Sequence, residues 1–223
     1  MTAKDAATGD RPAAILFDWD NTLVDTWPVI HDSLNTTFRA FGLEIWTLEQ
    51  TKERARKSMR DSFPALFGDQ WEAAGDVFYG RFNEIHIQKL TPMPGAADML
   101  QVLAESGIYL GIVSNKRGDL LRTEASHLGW NRYFGAIIGA NDTARDKPAR
   151  DPVDAALIPG GVRPNPAVWF AGDADIDLEC AKNANCTGVL VGSYDLIGET
   201  ENQTQPNLQF ADCMALCNFL KKL

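Results

Sequence analysis

Ile15-Leu16-Phe17-Asp18-Trp19-Asp20-Asn21-Thr22-Leu23 is the stretch whose reading decides the fold. An apolar run delivers two carboxylates, Asp18 and Asp20, where a strand gives way to a loop. In open α/β sheets, ligands bind at this carboxyl edge. Side chains alternate along a strand, so both acids should aim at one volume. Two aspartates there repel each other by about 4 kcal/mol at close range and intermediate dielectric unless a cation sits between them. The expectation is a hard divalent metal, with one carboxylate free to act as nucleophile.

Three further segments follow in order. Ile112-Val113-Ser114-Asn115-Lys116 is an apolar strand ending in a small hydroxyl residue. Lys147-Pro148 follows the acidic, turn-prone residues 141–146. Val168-Trp169-Phe170-Ala171-Gly172-Asp173-Ala174-Asp175-Ile176-Asp177 is a strand ending in a glycine and a cluster of acids. In this order the segments resemble the haloacid dehalogenase (HAD) superfamily of aspartate-nucleophile phosphohydrolases, over about residues 15–191. Its motifs are DxDx[TV], a strand-terminal Ser or Thr, a Lys, and GDxxxD. The string Lys-Pro-Ala-Arg-Asp-Pro-Val-Asp-Ala-Ala-Leu from Lys147 resembles phosphoglycolate-phosphatase-like members.

The resemblance implies roles residue by residue. Asp18 is the nucleophile and forms an aspartyl phosphate. Asp20 protonates the departing alcohol and later takes a proton from water. Ser114 binds phosphoryl oxygens, aided by the Asn115 backbone N–H at a helix start. Lys147 supplies a fixed positive charge to Asp18 and to the phosphoryl group. The implied metal is Mg²⁺, because the candidate ligands are all oxygen and it must sit beside a phosphate. Those ligands are the Asp18 carboxylate, the Asp20 carbonyl and Asp173, with Thr22 and Asp177 supporting from behind. Asp175 reads as a solvent-facing first-turn acid that suits the helix dipole.

Composition bounds the rest. At 223 residues the chain holds one α/β core and a smaller accessory region. A formal net charge of -9 argues against nucleic-acid or anionic-membrane partners. No apolar stretch reaches the length of a membrane span. Residues 1–11 read as a flexible, polar leader, and the protein as cytoplasmic. Cys180, Cys186, Cys213 and Cys217 lack the spacing of a zinc site and read as reduced, apolar cysteines.

Short apolar runs at 14–17, 109–113, 136–139, 167–171 and 187–191 read as strands buried on both faces. Helical patterns at 96–106, 118–128, 152–157 and 176–185 alternate with them, and 210–223 reads as a closing helix. Such alternation implies a doubly wound parallel sheet. Residues 28–90 break it with helical patterns only, at 29–41, 48–58 and 70–89. The fold expected is therefore α/β: a Rossmann-like HAD core over 12–27 and 91–223. An all-helical cap of the C1 type, residues 28–90, is inserted after the first strand.

Within that insert, Arg56, Lys57 and Arg60 read either as a solvated basic face or as a pair of hands for a substrate anion. Asn21 replaces the family's glycine after DxD and Asn185 another, and Asn tolerates the left-handed backbone both need. The function expected is a Mg²⁺-dependent phosphatase acting on a small phosphorylated acid or sugar, as monomer or homodimer. The alternatives are a β-phosphoglucomutase-like phosphomutase and a non-catalytic phospho-ligand-binding HAD protein.

Overall fold

The computed structural model describes residues 11–55, 59–192 and 204–223, with backbone alone for 59–61. The chain opens with β1 (Ala14–Phe17) and β2 (Val24–Asp25), then the helices α1 (Trp27–Ala40), α2 (Leu48–Arg54), α3 (Met59–Phe67) and α4 (Trp71–Ile85). It continues through β3 (Thr91–Pro92), α5 (Ala96–Glu105), β4 (Tyr109–Arg117), α6 (Gly118–His127) and β5 (Ala136–Ala140). The last elements are α7 (Asp151–Leu157), β6 (Val168–Gly172), α8 (Asp175–Asn183), β7 (Thr187–Val191), β8 (Leu208–Phe210) and α9 (Cys213–Leu220). Two compact units result: residues up to Val24 together with Pro92–Leu223, and Asp25–Thr91.

The first unit is a doubly wound α/β fold. Its sheet runs β5-β4-β1-β6-β7-β8 with every pairing parallel. β1 lies in the middle, and its Ala14, Ile15, Leu16 and Phe17 are wholly buried. Alternation divides them between faces. Leu16 joins Val113 and Phe170 under Val153, Leu157 and Ala181 of α7 and α8. The opposite face carries Ile112 and Phe17, and there α5 packs on β4 and α9. Each such aliphatic or aromatic side chain removed from water contributes about 1.5–3 kcal/mol before chain entropy is subtracted. Central position and two buried faces make β1 a rigid mount for whatever follows it.

Local signals set the element ends. Gly95, with φ 78°, turns the chain into α5, and Gly107, with φ 77°, takes it out again. Asn21 and Asn185 hold φ of 59° and 58°, the left-handed angles the sequence assigns them. The four cysteines are free and buried, used as small apolar residues. Among the described residues no helix is long and apolar enough to cross a membrane.

The second unit is all-helical. Phe38 packs on Trp46 at 4.7 Å and on Phe67 at 5.8 Å, and Phe63 closes on Phe67 at 5.0 Å. Buried Asn35 replaces missing backbone partners at the turn after α1. It donates to the Trp46 carbonyl at 2.8 Å and accepts from the Trp46 N–H at 2.9 Å. Thr47 and Gln50 then form a reciprocal capping box that starts α2. Arg56 and Lys57 lie outside the described residues, as does the Arg60 side chain.

Three expectations need correction. The strand β8 was not foreseen: Leu208-Gln209-Phe210 is too short to announce itself, and as an edge strand it is only half-buried. Helix α3 was missed because Pro64 lies inside it, a residue that ordinarily interrupts a helix. Strand β4 does not stop at Val113 but runs to Arg117, with a register irregularity between those residues. Ser114 and Asn115 thus sit in a bulged strand end, and Asn115 is not at a helix start.

Candidate active site

The carboxyl ends of β1, β4 and β6 bring the sequence candidates together within the first unit. Asp18 follows β1, and its N–H continues the ladder to the Ala171 carbonyl at 2.9 Å. Lys147, from the loop before α7, is buried and donates through Nζ to Asp18 Oδ1 and to Asp177 Oδ1, both at 2.7 Å. The same ammonium lies 5.7 Å from the Phe170 ring centroid. Asp177 is fully buried, and its second oxygen accepts from the Ala174 N–H at 3.1 Å, which ties Lys147 to the first turn of α8. Thr22 donates to Asp173 at 3.2 Å.

Asn115 has a role the sequence did not suggest. Its side chain accepts from the Lys147 N–H at 3.0 Å and donates to the Lys147 carbonyl at 3.1 Å. The amide clamps the lysine's backbone just before the cis bond to Pro148. Ser114, also buried, accepts from the Lys116 N–H at 3.3 Å.

The Asp18 and Asp20 carboxylates are each paired with a different ammonium, Asp18 with Lys147 and Asp20 with Lys116. Lys116 Nζ donates to Asp20 Oδ1 at 2.6 Å and to Glu124 at 2.8 Å. β1 ends at Phe17 and the chain turns, with Leu23 and Val24 both donating back to the Trp19 carbonyl, yet Asp20 stays near enough to Asp18 to raise its carboxyl. Sequence reasoning passed over Lys116 and Glu124. Glu124 did leave a signal, since it falls beside Leu120, Leu121 and Ala125 on the buried face of α6.

Electrostatics fit a cation. Oxygens of Asp18, Asp173 and Asp177 lie within 4.8 Å of one another. Burial pushes the Asp18 carboxyl up to about 6, against the pull of Lys147, while Asp177 and Asp20 add to the rise. Asp173 keeps part of its surface in solvent, yet burial, then Asp177 and Asp18, hold its carboxyl well above the usual range. Burial works against the Lys147 ammonium, but Asp177 and Asp18 outweigh it and raise its pKa. Three converging carboxylates and one ammonium leave a charge deficit in an all-oxygen donor set. That is the chemistry of a hard divalent cation.

Gly172 admits these groups. A Cβ built on it would land on the Asp177 carboxylate. Gly172→Ala is therefore expected to displace Asp177, to cost about 1–3 kcal/mol and to lower turnover together. Thermal denaturation alongside a rate measurement checks it; wild-type values for both would mean the close approach does not matter.

The family described as haloacid dehalogenase-like hydrolase matches residues 15–191. The chain belongs to that family. Among relatives of this haloacid dehalogenase-like hydrolase, the phosphoglycolate phosphatase of Aquifex aeolicus is 30% identical over 171 residues, covering 76% of this chain and 80% of its own. That of Xanthomonas campestris is 30% identical over 182 residues, covering 80% and 82%. A solved HAD-superfamily hydrolase from Ehrlichia chaffeensis superposes with a TM-score of 0.68 at 29% identity, covering 97% of this chain and 99% of the other. The chain is an enzyme, a phosphoric monoester hydrolase.

Proposed function

We propose that this haloacid dehalogenase-like hydrolase is a Mg²⁺-dependent phosphatase for one small phosphorylated acid or sugar, of the phosphoglycolate class. The observation that carries the reading is the convergence of Asp18, Asp173 and Asp177 around a single buried lysine. The substrate class is supported by the phosphoglycolate phosphatases of Aquifex aeolicus and Xanthomonas campestris among its relatives.

An Asp18 carboxylate oxygen attacks phosphorus, and the bond from phosphorus to the ester oxygen breaks. Asp20 gives that oxygen a proton, then takes one from the water that attacks the aspartyl phosphate. Inorganic phosphate leaves and Asp18 is regenerated. Lys147 keeps Asp18 oriented and faces the charge building on the phosphoryl oxygens, with Ser114 beside it. With Asn115 clamping its backbone, Lys147 needs little rearrangement during the reaction. Asp18, the Asp20 carbonyl and Asp173 would hold Mg²⁺, which offsets negative charge on the carboxylates and the phosphoryl group. Thr22 fixes Asp173 and Asp177 fixes Lys147.

A screen of phosphorylated metabolites, with phosphate release as readout and Mg²⁺ present or chelated, tests the reading. The expected result is metal-dependent release from a small phosphorylated acid or sugar. Isomerised sugar phosphate without release would replace hydrolysis by a phosphomutase reaction. No turnover of any ester, p-nitrophenyl phosphate included, would leave a phospho-ligand-binding protein.

A further inference from the structure

Trp19 lies between the two catalytic aspartates and is wholly buried. Its indole Nε1 donates to Glu124 Oε2 at 2.7 Å, and its ring meets Trp130 edge-on at 5.7 Å between centroids. Lys116 Nζ donates to the same Glu124 oxygen at 2.8 Å and to Asp20 Oδ1 at 2.6 Å. The Lys116 and Glu124 side chains are 4% and 1% exposed, whereas Asp20 keeps 25%. Neighbouring residues of one loop are thus tied to one carboxylate on α6: Trp19 directly, Asp20 through Lys116.

Stability alone does not account for this arrangement. A buried ion pair is at best even with a well-packed apolar pair of the same volume, because both charges lose their hydration. What an apolar pair cannot do is hand a fixed donor to a carboxylate at the edge of the solvent. A general acid must lie in line with the departing oxygen, and small misplacements are costly.

We propose that Lys116, held by Glu124 and Trp19, is the positioning residue that aims the Asp20 carboxyl at the leaving-group oxygen. This rests on the role given to Asp20 in the proposed function. Lys116 itself does not touch the reacting atoms.

The test uses the full chain with Mg²⁺ and two esters, p-nitrophenyl phosphate and benzyl phosphate. The nitrophenolate departs without help, whereas the benzyl alkoxide needs a proton as its bond to phosphorus breaks. kcat/KM reports the steps through that departure and not the later attack of water. Lys116→Met is expected to lower kcat/KM for benzyl phosphate about 100-fold and for p-nitrophenyl phosphate about threefold. Trp19→Phe keeps the ring and removes only the N–H. It should shift the ratio the same way by about fivefold, and it serves if Lys116→Met does not fold. Equal losses on both esters would overturn the proposal, since a merely structural brace does not distinguish leaving groups.

A metal-free crystal structure of either variant gives a readout independent of turnover. Asp20 should leave its present direction or divide between conformers, and an unmoved Asp20 would overturn the proposal. Should the wild type hydrolyse no ester, the proposed function fails, and the position of Asp20 in that crystal still decides this inference.

Discussion

Asp18→Asn is expected to lose turnover by about 10⁴-fold or more and yet to give a more stable metal-free protein. The loss follows from chemistry, because an amide cannot form the acyl phosphate. The gain follows from the site. Asp18 is buried with Asp177 close by and shares Lys147 with it, so a neutral amide removes a charge that burial penalises. Lys147 keeps its bond to Asp177. The expected gain near pH 7 is about 2 kcal/mol, or about 4–8 °C in Tm for a chain of this size. Mg²⁺ should stabilise the variant less than the wild type, because one ligand has been weakened. Surviving turnover would remove Asp18 as nucleophile. A lower Tm would mean that the carboxylate is satisfied better than its surroundings indicate.

The pH dependence has a definite sign. The Asp18 carboxyl is raised from 3.8 to about 6 in the folded protein, so over that interval the native state holds more protons than the unfolded chain. Stability of the metal-free protein must then fall as pH rises from about 4 through about 6, by about 3 kcal/mol, and level off above. Asp173, also raised, adds to the same slope. Added Mg²⁺ competes with those protons and flattens the profile. In Asp18→Asn the slope should shrink even without metal, and thermal melts at several pH values read it directly.

Much of this was legible in the chain before its structure. The four buried residues of β1 followed by Asp18, and β6 ending in Gly172 and followed by Asp173, announce a parallel sheet with a working carboxyl edge. Buried parallel strands are uniformly apolar, and little else in a globular protein is. What was illegible depends on three-dimensional return. Asn115 looked like a helix cap because a small polar pair after a strand usually is one. Only the fold brings the Lys147 backbone, 32 residues away, to its amide. Lys116 carries no signal of its own in the sequence, and nothing local to it reveals that Glu124 comes to meet it. Glu124 could have been found, since a carboxylate among leucines on one helical face demands a partner. β8 and α3 were lost for simpler reasons, brevity in one and an internal proline in the other.

Lys147→Met should be among the most destabilising substitutions available to this protein, and the size of the effect should depend on pH and metal. The side chain is buried between Asp18 and Asp177, and methionine fills much of the same volume without the charge. Removing one partner of a buried ion pair costs about 3–5 kcal/mol, because the remaining charges stay in place without compensation. The Asn115 clamp acts on the backbone at position 147 and survives, so the loss reports the ammonium rather than the loop. Lys147 itself does not titrate in the useful range: its pKa moves up from 10.5, so its own contribution is constant below that value. Any pH dependence of the variant therefore comes from the raised carboxyls of Asp18 and Asp173. As pH falls toward about 5 Asp18 takes up a proton and the penalty should shrink; as it rises toward about 8 the Asp18 part of the penalty should be complete. Mg²⁺ near neutral pH should restore part of the stability by supplying the missing positive charge. Turnover should remain low by about 10²–10³-fold even when metal has restored the fold, since the lysine's donor to the phosphoryl oxygens is gone. Melts of wild type and variant at both pH values, with and without Mg²⁺, separate these contributions. A penalty equal at every pH and indifferent to metal would mean that Lys147 holds the protein by packing, and its charge would no longer explain the site.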